Sequence, residues 1–385
     1  MVELGDGPVW ALGLMSGTSL DGVDAALLKT DGVEIAAFGP GAERPYRYGE
    51  MTFVRAVMER PHQYRPPDSR EFGVELDLAA EEVDGVHAEA VASLLAKTPE
   101  IAPALIGYHG QTVAHAPENG WTWQLGDGDV LARALNRSVV WDFRTADIQA
   151  GGEGAPLAPF YHWALARHMG ATEPVAFLNI VGVGNVTWVD PRAEAPEAEG
   201  ALLAFDTGPG NALINDWMMR RAGQPMDRNG AAAAKGEVDW MIVHGGNATN
   251  AYLERKPPKS LDRNTFTAML DMVNELSVED GAATLTALTV ECVAESAKWM
   301  PSPPSRWLVC GGGRRNPVMM RWLAEKLDAP VDAVEAVGLD GDMLEAQAFA
   351  YLAVRVAKGL PTSAPGTTGC AAPVVGGRIA QPVQD

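Results

Sequence analysis

The chain has 385 residues, 47% of them hydrophobic, which is enough for more than one buried core and makes two domains the natural expectation. A formal net charge of −20 argues against a nucleic-acid surface, which needs clustered Lys and Arg, but leaves room for a nucleotide held by a few local donors. Cys292, Cys310 and Cys370 stand far apart without a CxxC pair, which argues against a disulfide scaffold or structural zinc. No basic-then-apolar leader and no run of about 18 apolar residues is seen, so a cytoplasmic protein with no membrane partner is expected.

The first element is a hairpin. Val9-Trp10-Ala11-Leu12 precedes, and Val23, Ala25, Leu27 and Leu28 follow, a run of small and hydroxyl residues from Gly13 to Gly22. Gly17 and Gly22 would let the backbone approach a ligand, while Ser16, Thr18 and Ser19 add hydroxyls beside main-chain N–H groups, a combination suited to phosphate oxygens. A plain polar β-turn is the other reading. The run is neither a Walker A loop nor a GxGxxG fingerprint. Pro45 to Pro67 reads as a connector with one short helix over Met51–Glu59, and Val83, Val86, Ala90 and Leu94 mark the buried stripe of a helix over 76–95.

Ala104 to Tyr108 reads as a short buried strand ending in His109-Gly110-Gln111-Thr112, where His109 and Gln111 could meet a substrate or simply be satisfied structural residues. Asp127, in the turn Trp123–Gly128, reads as a turn residue. A third strand, Ser138–Trp141, runs into Asp142-Phe143-Arg144, Asp147 and Gly151-Gly152-Glu153-Gly154. That loop suits a polyhydroxylated or carboxylate-bearing ligand, with Arg144 forked onto the carboxylate, or else an internal Asp142–Arg144 ion pair.

A second unit then begins. Ala176–Ile180, the turn Gly182-Val183-Gly184-Asn185 and Val186–Val189 repeat the strand, Gly-rich turn, strand design of the opening hairpin. Phe205-Asp206-Thr207-Gly208-Pro209-Gly210-Asn211 leads into a helix with Leu213, Ile214, Trp217 and Met218 on one face. Asp206 thus stands just before a helix whose free N–H groups favour anionic oxygens; the other reading is that Asp206 or Thr207 caps that helix. Leu285, Leu288 and Cys292 share a face of a helix over about 279–300, which makes Cys292 a core residue. Trp307–Cys310 is a strand entering Gly311-Gly312-Gly313, where an adenine or ribose could lie flat on the backbone, or where a mobile turn could sit. A last helix carries Leu344, Ala348, Leu352 and Val356 on one stripe, with Glu345 near its start, and Pro361 and Pro365 break it.

These runs, with Cys310-Gly311-Gly312-Gly313 last, resemble in content and order those of the anhydro-N-acetylmuramic acid kinases, a bacterial family within the sugar kinase/Hsp70/actin superfamily, over nearly the whole chain. The resemblance implies an α/β fold of two domains, 1–145 and 146–385, each a mixed sheet flanked by helices, with a cleft between them and the last helix, about 343–358, packing back on the first domain. It implies ATP-dependent conversion of 1,6-anhydro-N-acetylmuramic acid to N-acetylmuramic acid 6-phosphate by a homodimer, with Mg²⁺. Asp206 would be the general base. Gly17, Thr18, Ser19, Leu20, Asp21, Gly22, Val23, Asp24, Asn185, Gly208, Gly210, Asn211, Gly311, Gly312, Gly313 and Asn316 would contact the nucleotide, and Asp21 the metal. His109, Gln111, Asp142, Arg144, Gly154 and Glu345 would contact the sugar. The chain departs from the family pattern at Glu153, Val181, Gly184 and Leu261-Asp262. A kinase of an ordinary sugar hydroxyl and an inactive sugar- or nucleotide-binding regulator are the alternatives.

Overall fold

The computed structural model describes residues 4–60, 73–249, 251–261 and 265–382. Strands β1 (Val9–Ser16) and β2 (Gly22–Thr30) form the expected antiparallel hairpin, with Met15 opposite Asp24, and β3 (Ile35–Pro45) extends the meander. Helix α1 (Thr52–Glu59) is the short helix expected in the connector, whose residues 61–67 lie outside the described chain. Helix α2 (Gly73–Lys97) buries Val83, Val86, Ala90 and Leu94 on one stripe, as their spacing requires. Strand β4 (Leu105–Ala116) lies parallel to β1 and does not end at His109. It runs on through the polar cluster because β5 (Trp121–Leu125) pairs antiparallel with its second half, Gln111 to Ala116.

Asp127 caps helix α3 (Gly128–Leu135), its carboxylate accepting the Asp129 N–H at 2.8 Å. Strand β6 (Val139–Trp141) and helices α4 (Thr145–Gln149) and α5 (Pro159–His168) follow. In the second unit come β7 (Val175–Ile180), β8 (Val183–Val189), β9 (Leu202–Pro209), α6 (Asn211–Ala222), α7 (Trp240–Thr249), α8 (Ala268–Met272), α9 (Val278–Ser296), β10 (Trp307–Cys310), α10 (Pro317–Lys326) and β11 (Val331–Ala333). The chain then returns to the first unit with α11 (Leu344–Ala357), α12 (Pro365–Thr368) and β12 (Arg378–Ala380).

The first unit takes in the chain up to His168, Ala195–Glu197, and everything from Asp342; the second takes Met169–Glu194 and Ala198–Gly341. This division falls after α5, beyond the 145/146 boundary read from the sequence. The reason is that α5 is tied to first-unit elements: Tyr161 donates to Gln347 of α11 at 2.8 Å and Arg167 pairs with Glu34 at 3.1 Å. The first sheet runs β12-β6-β4-β1-β2-β3 with β5 added on β4, and the second runs β11-β10-β7-β8-β9. In both, an antiparallel three-strand meander (β1-β2-β3, β7-β8-β9) is extended by two parallel neighbours (β4 and β6, β10 and β11). The echo between the two hairpins therefore extends to whole sheets.

Each unit has its own core, centred on Leu12, Leu27 and Ile106 in the first and on Phe205, Trp217, Leu288 and Trp307 in the second. Helix α11 lies directly on the backbone of the first sheet. A Cβ at Gly13 would stand 1.8 Å from the Ala346 carbonyl oxygen, and one at Gly107 2.1 Å from that of Phe349, so glycine at these positions sets the depth of the helix.

Candidate functional site

In the first unit the turn between β1 and β2 leaves Thr18, Ser19 and Asp21 exposed while Leu20 turns inward with a left-handed φ of 52°. The loop closes on itself: the Leu20 N–H donates to the Gly17 carbonyl at 3.2 Å, and Asp21 Oδ1 accepts the Ser19 hydroxyl at 3.0 Å and the Gly22 N–H at 3.1 Å. A Cβ at Gly17 would meet only the Ser19 Oγ, at 3.3 Å, so this backbone is open. Gly22 is different. Its Cβ would lie 2.9 Å from the Arg44 carbonyl oxygen, so glycine here lets β3 pack closely. Val23 is likewise a core side chain, with Asp24 half-buried beside it.

A buried polar relay holds the loop from behind. Ser16 donates to Gln111 Oε1 at 2.6 Å and shares a 2.5 Å hydrogen bond with the Tyr46 hydroxyl, while Gln111 Nε2 donates to the Gly17 carbonyl at 3.3 Å. Gln111 is fully buried and its amide is committed to this work. His109 is buried too. Its Nδ1 bonds the Gly110 carbonyl at 2.8 Å, leaving Nε2 to accept from Arg144 Nε at 3.1 Å and Nη2 at 2.9 Å. Burial and the Arg144 charge hold this imidazole far below its usual pKa, so it is a neutral acceptor.

Arg144 therefore rests on neutral partners, since its Nη1 donates to the Gly154 carbonyl at 2.8 Å. Burial pulls its pKa down to about 10, against the opposing charges of Glu345 and Asp147. The Asp142–Arg144 turn is not what forms: Asp142 accepts from Thr145 and faces Arg378 at 3.9 Å. Asp147 organises the glycine loop from beneath, its Oδ2 accepting the Gly154 N–H at 2.7 Å and its Oδ1 accepting the hydroxyls of Thr368, at 2.7 Å, and Ser363. At the start of α11, exposed Glu345 contributes to an acidic group with Asp21, Glu43 and Asp342. Burial first, then these charges, push the Asp24 carboxyl up to about 7.

In the second unit Asp206 lies within β9, an edge strand, and opposite Asn185 of β8. It does not cap α6. Its Oδ2 accepts the Leu261 N–H at 2.7 Å, its N–H donates to the Lys259 carbonyl at 3.0 Å, and its own carbonyl accepts the Tyr252 hydroxyl at 2.8 Å. The N-terminus of α6 is not the open anion site that the sequence promises. The Asn211 N–H donates to the Val181 carbonyl at 2.7 Å, and those of Gly210 and Ala212 both donate to the Gly182 carbonyl at 3.1 Å. Gly208 and Gly210 are shaped by packing, since a Cβ at Gly208 would meet Cys292 at 2.7 Å and one at Gly210 would stand 2.4 Å from the Val181 carbonyl oxygen. Asn211 Nδ2 donates to the Ile180 carbonyl at 3.1 Å, and Cys292 is fully buried in the core, as expected.

The three glycines after β10 divide similarly. Cβ atoms at Gly311 and Gly313 would strike Asn179 Oδ1 at 2.3 Å and Ile180 Cβ at 2.5 Å, whereas Gly312 is exposed, with its nearest neighbour Asn211 Nδ2 at 3.5 Å. Asn316 is occupied as the cap of α10, accepting the Val318 and Met319 N–H groups at 3.1 Å. Sequence reasoning missed Lys259 and Tyr252, which hold the Asp206 strand, and Asp147 as the anchor of the Gly154 loop. Asp147 lies in a loop that the sequence singles out and Lys259 two residues before the Leu261-Asp262 departure, whereas Tyr252 has no such neighbour.

A profile of the anhydro-N-acetylmuramic acid kinase family matches residues 9–382. The chain is 54% identical over 376 residues to the anhydro-N-acetylmuramic acid kinase of Ruegeria sp. (strain TM1040), covering 98% of this chain and 96% of the relative. It is 51% identical over 372 residues to the enzyme of that name from Rhodospirillum rubrum, covering 97% and 94%. Among solved structures, component A of the Acidaminococcus fermentans (R)-2-hydroxyglutaryl-CoA dehydratase aligns over 91% of this chain and 99% of its own, at 10% identity and a TM-score of 0.46. The family and the relatives place the chain among the carbohydrate kinases. Within that class it belongs to the anhydro-N-acetylmuramic acid kinase family.

Proposed function

We propose that the chain uses ATP to convert 1,6-anhydro-N-acetylmuramic acid to N-acetylmuramic acid 6-phosphate, as a cytoplasmic homodimer serving cell-wall recycling. The observation that carries this reading is the Asp206 carboxylate, set on an edge strand with one oxygen fixed by the Leu261 N–H, in a chain that matches the family over 9–382. Asp206 takes a proton from a water that attacks the anomeric carbon. The bond from that carbon to O6 breaks, O6 bonds to the γ-phosphorus, and the bond from that phosphorus to the bridging oxygen of ADP breaks. A positioned general base contributes typically about 10²–10⁴ in rate.

In the first unit, Arg144 is suited to the acidic substituent of the sugar. A guanidinium whose direct partners are the neutral His109 and a carbonyl retains its charge for an incoming anion. The Gly17-Thr18-Ser19 turn, exposed at Thr18 and Ser19, supplies backbone and hydroxyl donors for phosphate oxygens. Among the described residues no three His, Cys, Asp or Glu side chains are grouped to hold an ion by themselves. Asp21 would hold Mg²⁺ directly or through water. When bound, that ion neutralises charge on the transferring phosphoryl group.

The test is ADP release with the anhydro sugar set against glucose, N-acetylglucosamine and open-ring N-acetylmuramic acid, repeated in oxygen-18 water. Turnover on the anhydro sugar with the label on the anomeric oxygen is expected. Preference for an open-ring hydroxyl would make the chain an ordinary sugar kinase, and no sugar-dependent turnover would make it a binding protein.

A further inference from the structure

Lysine is among the residues least often buried, yet Lys259 is only 4% exposed. Its ammonium donates to the carbonyls of Tyr252, at 3.1 Å, and Leu253, at 3.2 Å. It also sits over aromatic rings, 4.5 Å from the centre of Tyr252 and 5.8 Å from those of Phe205 and Trp299. Carbonyl dipoles and ring faces thus carry this charge, an arrangement that fixes the ammonium in one place. The segment it pins is the one lying along the outer edge of β9. The Lys259 carbonyl accepts the Asp206 N–H, the Tyr252 hydroxyl donates to the Asp206 carbonyl, and two residues on, the Leu261 N–H meets Asp206 Oδ2.

We infer that Lys259 is a positioning residue for the reaction: its ammonium staples residues 252–261 to the free edge of β9, so that the Leu261 N–H sets the orientation of the Asp206 carboxylate. The inference rests on the reading of Asp206 as the base. A neutral amine would lose much of the attraction to the carbonyls and all of the cation's attraction to the rings, and the staple would loosen. Burial, together with the positive charges of Lys298 and Arg255, brings the Lys259 ammonium down to about 8, against the opposing influence of Glu254 and Cys292. The staple is therefore intact at neutral pH and weakens as pH rises through about 8.

The experiment compares the parent, Lys259→Met, Lys259→Arg and Asp206→Asn by steady-state kinetics from pH 6.5 to 9.5, with hydrogen exchange of residues 252–261. The parent kcat is expected to fall above pH 8 along a one-proton limb. Lys259→Met should lose about tenfold or more in kcat with little change in either KM, lack that limb, and exchange faster at Leu261. Lys259→Arg should recover part of kcat and carry the limb to higher pH. Faster exchange with kcat unchanged in Lys259→Met would overturn the inference, because the segment would then be held without serving the base. If Lys259→Met does not fold, a parent kcat flat through pH 9.5 overturns it equally. Turnover surviving in Asp206→Asn would remove the base reading, and the positioning role with it, while leaving the exchange result to judge the staple alone.

Discussion

The hairpins β1–β2 and β7–β8 occupy the same place in their sheets and share one local grammar, but they account for their backbone groups in opposite ways. In the second, the carbonyls of Val181 and Gly182 are consumed by the first N–H groups of α6, and a Cβ at Gly210 would collide with the turn. That hairpin is a socket for its own helix. In the first, the Gly17-Thr18-Ser19 turn, exposed at Thr18 and Ser19, carries no such helix among the described residues, and it is held from behind by Ser16, Gln111 and Tyr46. Glycine therefore stands in two kinds of place: open backbone at Gly17, where a ligand is proposed, and tight packing at Gly210, just before α6. Only the atom that a Cβ would meet tells them apart.

The largest expected effect lies beside the second hairpin, on β9, which carries the proposed base Asp206. Asp206→Asn should lower kcat by about 10²–10⁴ while nucleotide affinity stays nearly unchanged, because the amide keeps the size of the side chain but removes the proposed base. Turnover within a few-fold of the parent would end the case for Asp206. Loss of nucleotide binding as well would make the residue a phosphate or metal anchor.

The next pair separates the two kinds of glycine directly. Gly17→Val should weaken ATP binding by about tenfold or more, about 1.4 kcal/mol, with the melting temperature of the ligand-free protein nearly unchanged. Gly210→Ala should do the reverse. Its methyl, only 2.4 Å from the Val181 carbonyl oxygen, should cost about 1–3 kcal/mol of stability, seen in urea or thermal unfolding. A Gly17 variant that melts early yet binds ATP normally would erase the distinction between the hairpins.

What was legible in the sequence follows the same line between local and distant causes. The hairpins, the stripe of α2 and the burial of Cys292 come from spacing over a few residues, and spacing survives folding. The extension of β4 through His109 depends on pairing with β5, which begins five residues after β4 ends. The occupied N-terminus of α6 depends on a turn about thirty residues back. Lys259 was invisible as an anchor because nothing near it in the sequence shows that three aromatic rings converge on its ammonium. Candidate residues were thus readable as types at motif positions, while their division into open and occupied groups required the tertiary hydrogen bonds.

The smallest effect sharpens the comparison electrostatically. The third residue of the returning strand is Asp24 in the first hairpin and the neutral Asn185 in the second. Burial and the charges of Glu43, Asp21, Glu345 and Asp342 raise Asp24 from 3.8 to about 7, so the folded chain keeps a proton there that the unfolded chain releases near pH 4. The stabilisation is present in full on the acid side and is lost as pH rises from about 4 to about 7. Asp24→Asn gives the first hairpin the side-chain chemistry of the second and should abolish this slope. At pH 8 the ligand-free variant should be more stable than the parent by on the order of 2 kcal/mol, about half the value of the full shift because the carboxyl is only partly buried. Below about pH 4 the two should nearly coincide in urea unfolding. Equal pH dependence in parent and variant would mean that Asp24 ionises without penalty, and that the first hairpin is no more charged with purpose than the second.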